Sequence, residues 1–490
     1  MRLLKVFLLC LLCAPVALAF QFKPPLRLMQ FKDNLGLKDS SEYIIWHKYL
    51  PDENRLLLIS RDTLQLIDVG QAKVVESRPA QLPTLDVRRG YDYSDWVISP
   101  DGRKMLIIGH AEARAGTKQL AWVWDLQTGK RLAVLAEAPT DIRSGTWSKN
   151  GKTIVTFDDH YLGYDSLHLH ISFWDGETFA YRNSIEVDNL TWWYLTNDGG
   201  RFFAAAGKTK SVFGIKYVSD AGAGVINVWD TQTGRIEKTI AMSDGDFAPR
   251  TKKITVSPDE RFLVFAQKNK ANEGESRLLV WEFNGSVQPK YELKPQPKID
   301  NSRVVFSPDS KYFALDVGKN LQIYETATGA KRAELPDVEL PYSWLNNEVF
   351  VNVGYKSKSF FEMGMKLEAF DAADGRMLYR HMLEYDEVEE PDMFNPDVSN
   401  STVVDSTTVI PHPAGKLFLT YSNEYVRIFD AHTGALLQNV IAPRIVYKNN
   451  KPKIKHGVAV LEAGWSTDGR TLYIFSANHQ TVALWELTSG

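Results

Sequence analysis

The sequence predicts an all-β fold, a single closed β-propeller of eight to nine four-stranded blades, and three observations predict it. A unit of about fifty residues recurs nine times along the 490-residue chain. Each unit alternates short β-patterned runs with turn-forming residues, which gives strands that pair in series. The last unit stops before a fourth strand, and an unused strand stands ahead of the first unit.

The first nineteen residues read as a cleaved export signal. Arg2 and Lys5 open it, an apolar run extends from Val6 to Leu18, and Ala17-Leu18-Ala19 places small residues before Phe20. The apolar run is short of the roughly 20 residues that a membrane span needs. Both cysteines, Cys10 and Cys13, lie in this segment, and Leu9 and Leu12 stand where a lipoprotein signal needs a small residue. The mature chain, residues 20–490, then has no thiol for a disulfide, a Cys-ligated metal or a nucleophile. Without Arg2 and Lys5, 55 of the 57 basic residues face 60 acidic ones, a net charge of −5. That balance argues against a nucleic-acid partner. No later segment is apolar enough to be a transmembrane helix.

"LRLMQF" at 26–31 is the unused strand. The first complete unit follows between Tyr43 and Val75, with "LPDENRLLLIS" and "LQLID". The second, at 95–135, is the fullest: a strand, Ser-Pro-Asp-Gly, a second strand, a loop, a third strand ending Trp124-Asp125, then Thr-Gly and a fourth strand. Proline presets φ at the second turn position, and Asp and Gly suit the turn and its left-handed exit. Variants begin near Ile142, Leu190, Ile254, Val304, Tyr342, Val409 and Ala463. In several third strands, aliphatics stand one and three residues before an aromatic: Ile226 and Val228 before Trp229, Leu278 and Val280 before Trp281, Val426 and Ile428 before Phe429. Alternation puts the two kinds of side chain on opposite faces, and neighbouring blades would bury both.

The last unit ends at Gly490 after its third strand, so residues 26–31 are expected to complete its blade and close the ring. Nine blades exceed the usual four to eight; eight remain if one unit is degenerate. Two smaller rings are the alternative, although no linker-like break separates two halves.

Trp124-Asp125, Trp174-Asp175 and Trp229-Asp230, with Trp281-Glu282 and Trp485-Glu486, resemble the WD-repeat family in its bacterial, exported form. The "SPDG"-like turns also resemble those of the periplasmic propeller associated with the Tol–Pal system. The Gly-His pair of that family does not stand regularly before each blade. The resemblance implies a binding scaffold more often than an enzyme.

Function is expected on one face. Loops between second and third strands are long in units two to five and seven: 109–119, 158–170, 207–224, 268–276 and 355–364. Long loops on a rigid scaffold commonly bind partners. The candidate partner-binding residues are His160, Tyr161, Tyr164, His168, His170, Lys208, Lys210, Tyr217, Tyr355, Lys356, Phe360 and Phe361. Aromatics mixed with cations suit a protein, peptide or glycan. Two blade connections are also long: 384–405 holds eight acidic residues, and 442–457 holds Arg444, Lys448, Lys451, Lys453 and Lys455.

The sequence carries no nucleophile-elbow motif, phosphate-binding Gly-Lys loop or His-Glu-x-x-His. No catalytic residue and no cofactor are expected. A propeller enzyme or a metal-dependent binding protein is the second reading, because "VWDLQTGKRL" resembles quinoprotein repeats and "DDHYLGYDSLHLH" (158–170) is rich in ligand-type side chains. Counted back from Trp174, His168 and His170 begin a third strand and share one of its faces, spaced to hold a common metal. The simpler reading is a pair of hydrogen-bonded histidines at a blade edge.

Overall fold

Local turn chemistry sets the strand boundaries. In the second unit, Ser99 Oγ donates to Asp101 Oδ1 (2.5 Å) and accepts from the Lys104 N–H (2.8 Å), while Gly102 exits at φ 69°. Ser148 with Asn150, Thr196 with Asp198, Ser257 with Asp259, Ser307 with Asp309 and Ser466 with Asp468 repeat the hydroxyl-to-side-chain bond. In units one to four, seven and eight the second turn is closed by the aspartate that ends the third strand. Asp125 Oδ1 accepts from the N–H groups of Gln127 (2.7 Å) and Thr128 (3.1 Å), and Asp175 Oδ1 from those of Glu177 (3.0 Å) and Thr178 (2.7 Å). Glycines 129, 234, 329, 375 and 434 take φ between 67° and 76° at the end of these turns, a region that L side chains disfavour.

The computed structural model describes residues 21–22, 27–30, 44–50, 54–60, 63–69, 71, 73–79, 96–110, 118–159, 166–212, 215–219, 224–242, 247–272, 275–283, 285, 287–297, 304–317, 320–336, 338, 342–357, 363–384, 408–422, 425–441, 443–448, 451–456, 460–476 and 481–488. Among them every regular element is a β-strand. The expected export segment lies outside the described residues, as do most of 384–405. Two compact units divide the chain: residues 1–57, 66–76 and 391–490, and residues 58–65 and 77–390. Residues 44–79 form one four-stranded sheet in chain order and contribute to both.

In the larger unit, four-stranded antiparallel sheets run through 96–135, 247–297, 304–336 and 342–384. Units three and four depart from the expected separate blades. They form one seven-stranded sheet over 144–241, because the 15-residue strand Tyr181–Leu195 serves both. Its first part pairs with Ser166–Asp175 and its last part with Arg201–Ala206. No glycine or proline interrupts this strand; instead Asn189 takes φ 52°, which asparagine tolerates, and the register shifts between Leu190 and Trp192.

The core lies between consecutive sheets. Along the strand Phe262–Asn269, Leu263 and Phe265 join Leu279 and Trp281 against Phe203, Ile226 and Val228 of the preceding sheet. The intervening Val264 and Ala266, with Leu278 and Val280, pack on Phe306, Phe313 and Leu315 of the following one. The expected opposition of aromatic and aliphatic faces, both buried, is therefore observed. Further clusters join units two and three through Leu106 and Trp174, three and four through Phe173 and Phe202, and six and seven through Ile323 and Trp344. Each fully buried large side chain contributes about 1.5–3 kcal/mol. Turn-to-turn bonds add a polar belt. Asn150 Nδ2 donates to the Asp198 carbonyl (2.8 Å), the Asn197 N–H to Glu260 Oε1 (2.6 Å), and the Asp259 N–H to Ser310 Oγ (3.0 Å). Glu260 (φ 57°) and Ser310 (φ 63°) stand where other units have glycine, and these bonds offset the roughly 1–2 kcal/mol of left-handed backbone.

In the smaller unit, a four-stranded sheet over 408–441 packs on strands 460–488 through Leu419, Ile428, Trp465 and Trp485. The strand Arg27–Gln30 pairs with Thr481–Thr488, Arg27 opposite Leu484, as the unused strand is expected to do. A second short strand, Gln21–Phe22, extends the pairing to Thr488. The Thr467 N–H donates to Tyr49 Oη (2.7 Å), and the Tyr49 and Tyr473 rings stack at 5.2 Å. Residues 442–457, expected as a long blade connection, contain a hairpin of Pro443–Lys448 with Lys451–His456.

The turn carboxylates make stability acid-sensitive. The Thr178 N–H, the Arg182 guanidinium and the Glu177 N–H hold Asp175 far below the ordinary 3.8, against some burial. The Thr196 hydroxyl and the Gly200 N–H lower Asp198. Burial acts to raise Asp101, Asp259 and Asp468, and their serine hydroxyl and backbone partners outweigh it. A carboxyl whose pKa is depressed by folding adds stability above its unfolded value, about pH 4, and that stability is lost as pH falls toward the folded value. Urea midpoints are thus expected to hold from pH 7 to 5 and drop below pH 4. The deficit of Asp198→Asn should shrink over the same range; a deficit unchanged down to pH 2 would contradict this origin.

Candidate functional site

The third strand of unit three, Ser166–Asp175, runs antiparallel to Tyr181–Leu195 with His168 opposite Asp188 and His170 opposite Glu186. Leu169, Ile171 and Phe173 point into the core, and so do Ile185 and Val187 on the partner strand. Period-two alternation therefore turns His168, His170, Glu186 and Asp188 to the other face together. The expectation that the two histidines share a face is met, with ring centroids 4.9 Å apart and planes at 88°.

Asp188 Oδ1 accepts a 2.6 Å hydrogen bond from His168 Nδ1. Glu186 reaches both rings: Oε2 is 3.8 Å from His168 Nε2, and Oε1 is 3.5 Å from His170 Nδ1. His168, Glu186 and Asp188 are well exposed, and His170 is mostly covered. The His170 N–H is tied to Asp158 Oδ1 at 2.9 Å, which fixes the backbone beneath the pair. The hydrogen bond to Asp188 raises the His168 pKa above 6.5; slight burial opposes it, and the charges of Asp188, Glu186 and Asp158 add to it. One donor atom each from His168, His170 and Glu186 lies within 4.8 Å of the others. Sequence reasoning missed Glu186 and Asp188. The alternation in "SIEVD" (184–188), set against "LHLHI" (167–171) across a hairpin closed by Asp175, carries the signal.

Residues 207–224, expected as a loop, are largely a hairpin. Lys208–Val212 pairs with Ile215–Ser219, Lys210 opposite Tyr217 and Lys208 opposite Ser219. Its alternating "KTKSV" and "IKYVS" explain why strands form. The backbone of the second hairpin strand lies near Ser166–Asp175 and Tyr181–Leu195, so strands that carry candidates of units three and four approach one another. Tyr355 and Lys356 likewise belong to a strand, Val349–Ser357, opposite Met365 and Gly364 in the sheet of unit seven. His160, Tyr161, Tyr164, Phe360 and Phe361 lie outside the described residues.

A second polar group, unforeseen from sequence, stands in unit five. The Arg277 guanidinium covers the Phe247 ring at 4.0 Å and its Nε donates to Gln267 Oε1 at 2.5 Å. Gln267 in turn donates to the Met242 carbonyl. Among the described residues, no helix is long and apolar enough to cross a membrane.

No protein-family model matches the sequence, and no curated protein matches it. Among solved structures, the chain is similar to the C-terminal WD40 domain of Sif2, with a TM-score of 0.43 and 9% identity over 94% of this chain and 98% of that one. It is similar to the Dos1 propeller, with a TM-score of 0.42 and 11% identity over 81% and 93%. Hydrazine synthase of Kuenenia stuttgartiensis gives a TM-score of 0.36 and 15% identity over 81% and 95%.

Proposed function

We propose that the chain is an exported, closed β-propeller of WD-repeat type, akin to the bacterial periplasmic propellers, that serves as a non-enzymatic scaffold for a protein, peptide or glycan. Packing of consecutive sheets in chain order supports the ring. So do the pairing of Arg27–Gln30 with the last sheet and the bond from Thr467 to Tyr49. Residues 1–19 support export to the periplasm or outside the cell.

The observation that carries the binding role is the hairpin Lys208–Val212/Ile215–Ser219, inserted between the second and third strands of unit four. The blade does not need it: Arg201–Ala206 and Val225–Asp230 pair directly with each other. Its strands hold Lys208, Lys210, Lys216 and Tyr217 on a paired backbone, which lowers the ordering entropy of binding relative to a loose loop. The net charge of −5 disfavours nucleic acid as the partner. The test is replacement of residues 208–219 by a two-residue Asn-Gly turn, with pulldown from envelope extract by the protein and the variant. Loss of specific partners at unchanged thermal stability is expected. Retention of every partner would refute the role of the hairpin.

A further inference from the structure

The two histidines and the carboxylates opposite them stand outside the core: their face is turned away from it, and Leu169, Ile171, Ile185 and Val187 bury the other side. Among the described residues, the ion-pair partners of Glu186 and Asp188 are these histidines alone. We propose that His168, His170 and Glu186 form a binding site for a divalent first-row transition-metal ion of the zinc type, with Asp188 as the positioning residue of His168. This goes beyond the scaffold reading and does not depend on it.

The donor set carries the choice of metal. Two imidazoles and one carboxylate suit zinc and its neighbours, whereas magnesium and calcium prefer all-oxygen shells. Ligands about 2.0–2.1 Å from a tetrahedral zinc stand roughly 3.4 Å apart. The observed 3.5 Å from Glu186 to His170 and 3.8 Å to His168 are close to that spacing, and exposed side chains can close the remainder by small rotations. The cross-strand register holds His168 against Asp188 and His170 against Glu186 before any metal arrives. Asp188 binds Nδ1 of His168, which leaves Nε2 as the ligand atom beside Glu186. A carboxylate behind a ligating histidine fixes its tautomer and strengthens it as a donor. Three protein ligands leave a fourth position for water or for a donor group on a partner.

The experiment uses the untagged mature chain with Co2+ followed by d–d absorption, and Zn2+ by competition with a chromophoric chelator. One equivalent of each metal is expected to bind, with Mg2+ and Ca2+ failing to displace it. His168→Ala with His170→Ala should abolish that equivalent, and the isosteric Glu186→Gln should weaken it at least tenfold. Asp188→Asn should weaken it by about tenfold while the tetrahedral cobalt bands remain. Circular dichroism of each variant should match the parent. Absence of a saturable equivalent, or binding of equal strength in the double histidine variant, would overturn the site. Unchanged affinity in Glu186→Gln or in Asp188→Asn would overturn the role given to that residue.

Discussion

Replacing Glu368 with alanine is expected to lower the unfolding free energy by about 3 kcal/mol, read as a fall in the urea midpoint at constant slope. Glu368 is 1% exposed at the centre of the third strand of unit seven, on the face of Phe370 rather than of Leu367 and Ala369. Its Oε1 accepts from Arg380 Nε at 2.6 Å, and Lys366 Nζ lies 2.9 Å from Oε2. Removing the carboxylate takes a charged partner from the largely covered Lys366 ammonium and from Arg380 together. Arg380 is 57% exposed and solvent screens it, so Arg380→Ala should cost less, about 1 kcal/mol or below. The ordering of the two variants is the discriminating result. A Glu368→Ala protein within 0.5 kcal/mol of the parent would mean that the buried carboxylate is dispensable.

Deleting residues 20–30 is expected to have an effect of similar or larger size. Six residues, Gln21, Phe22 and Arg27 to Gln30, pair with the strand Thr481–Thr488. At roughly 0.7 kcal/mol net for each pairing, the loss is on the order of 4 kcal/mol. The strand left bare would offer unpaired N–H and C=O groups to other molecules. Size-exclusion profiles should therefore broaden toward larger species than the parent, and a synthetic peptide of residues 20–31 should restore the parent profile and the midpoint. A truncated chain as stable and as monodisperse as the parent would remove the closing role of this segment.

What could be read from sequence was local. Ser-x-Asp-Gly and Asp-x-x-Thr-Gly stretches contain the partners that close their turns within five residues, so strand order and the burial of Trp174, Trp229 and Trp281 follow from pattern alone. The complementary N-terminal strand was legible because a missing strand and a spare one had to be accounted for together. The hairpin at 208–219 was hidden by length: an insertion of that size reads as a loop unless its own alternation is weighed. The shared strand was hidden because unit boundaries were drawn at repeats, while the chain from Tyr181 to Leu195 holds no breaker. Of the site, the histidines were visible as a cluster in one segment. Glu186 and Asp188 were not, since their role depends on a cross-strand register set 16 to 20 residues away. Glu368 was missed for a similar reason, as an acidic residue in a β-run looks solvent-facing until both faces are known to be covered.

The strand Tyr181–Leu195 also constrains how this chain can change its number of repeats. Elsewhere in the larger unit a repeat ends with a strand of its own, so a duplication or loss of one repeat in the gene leaves its neighbours whole. The pairings of Tyr181–Leu195 change hands at Leu190, which stands opposite both Ser166 and Ala206, so a boundary between units three and four falls inside an uninterrupted strand. A repeat boundary there has no loop to absorb an insertion or a deletion, so a change in repeat number at that point must cut a strand instead of a connection.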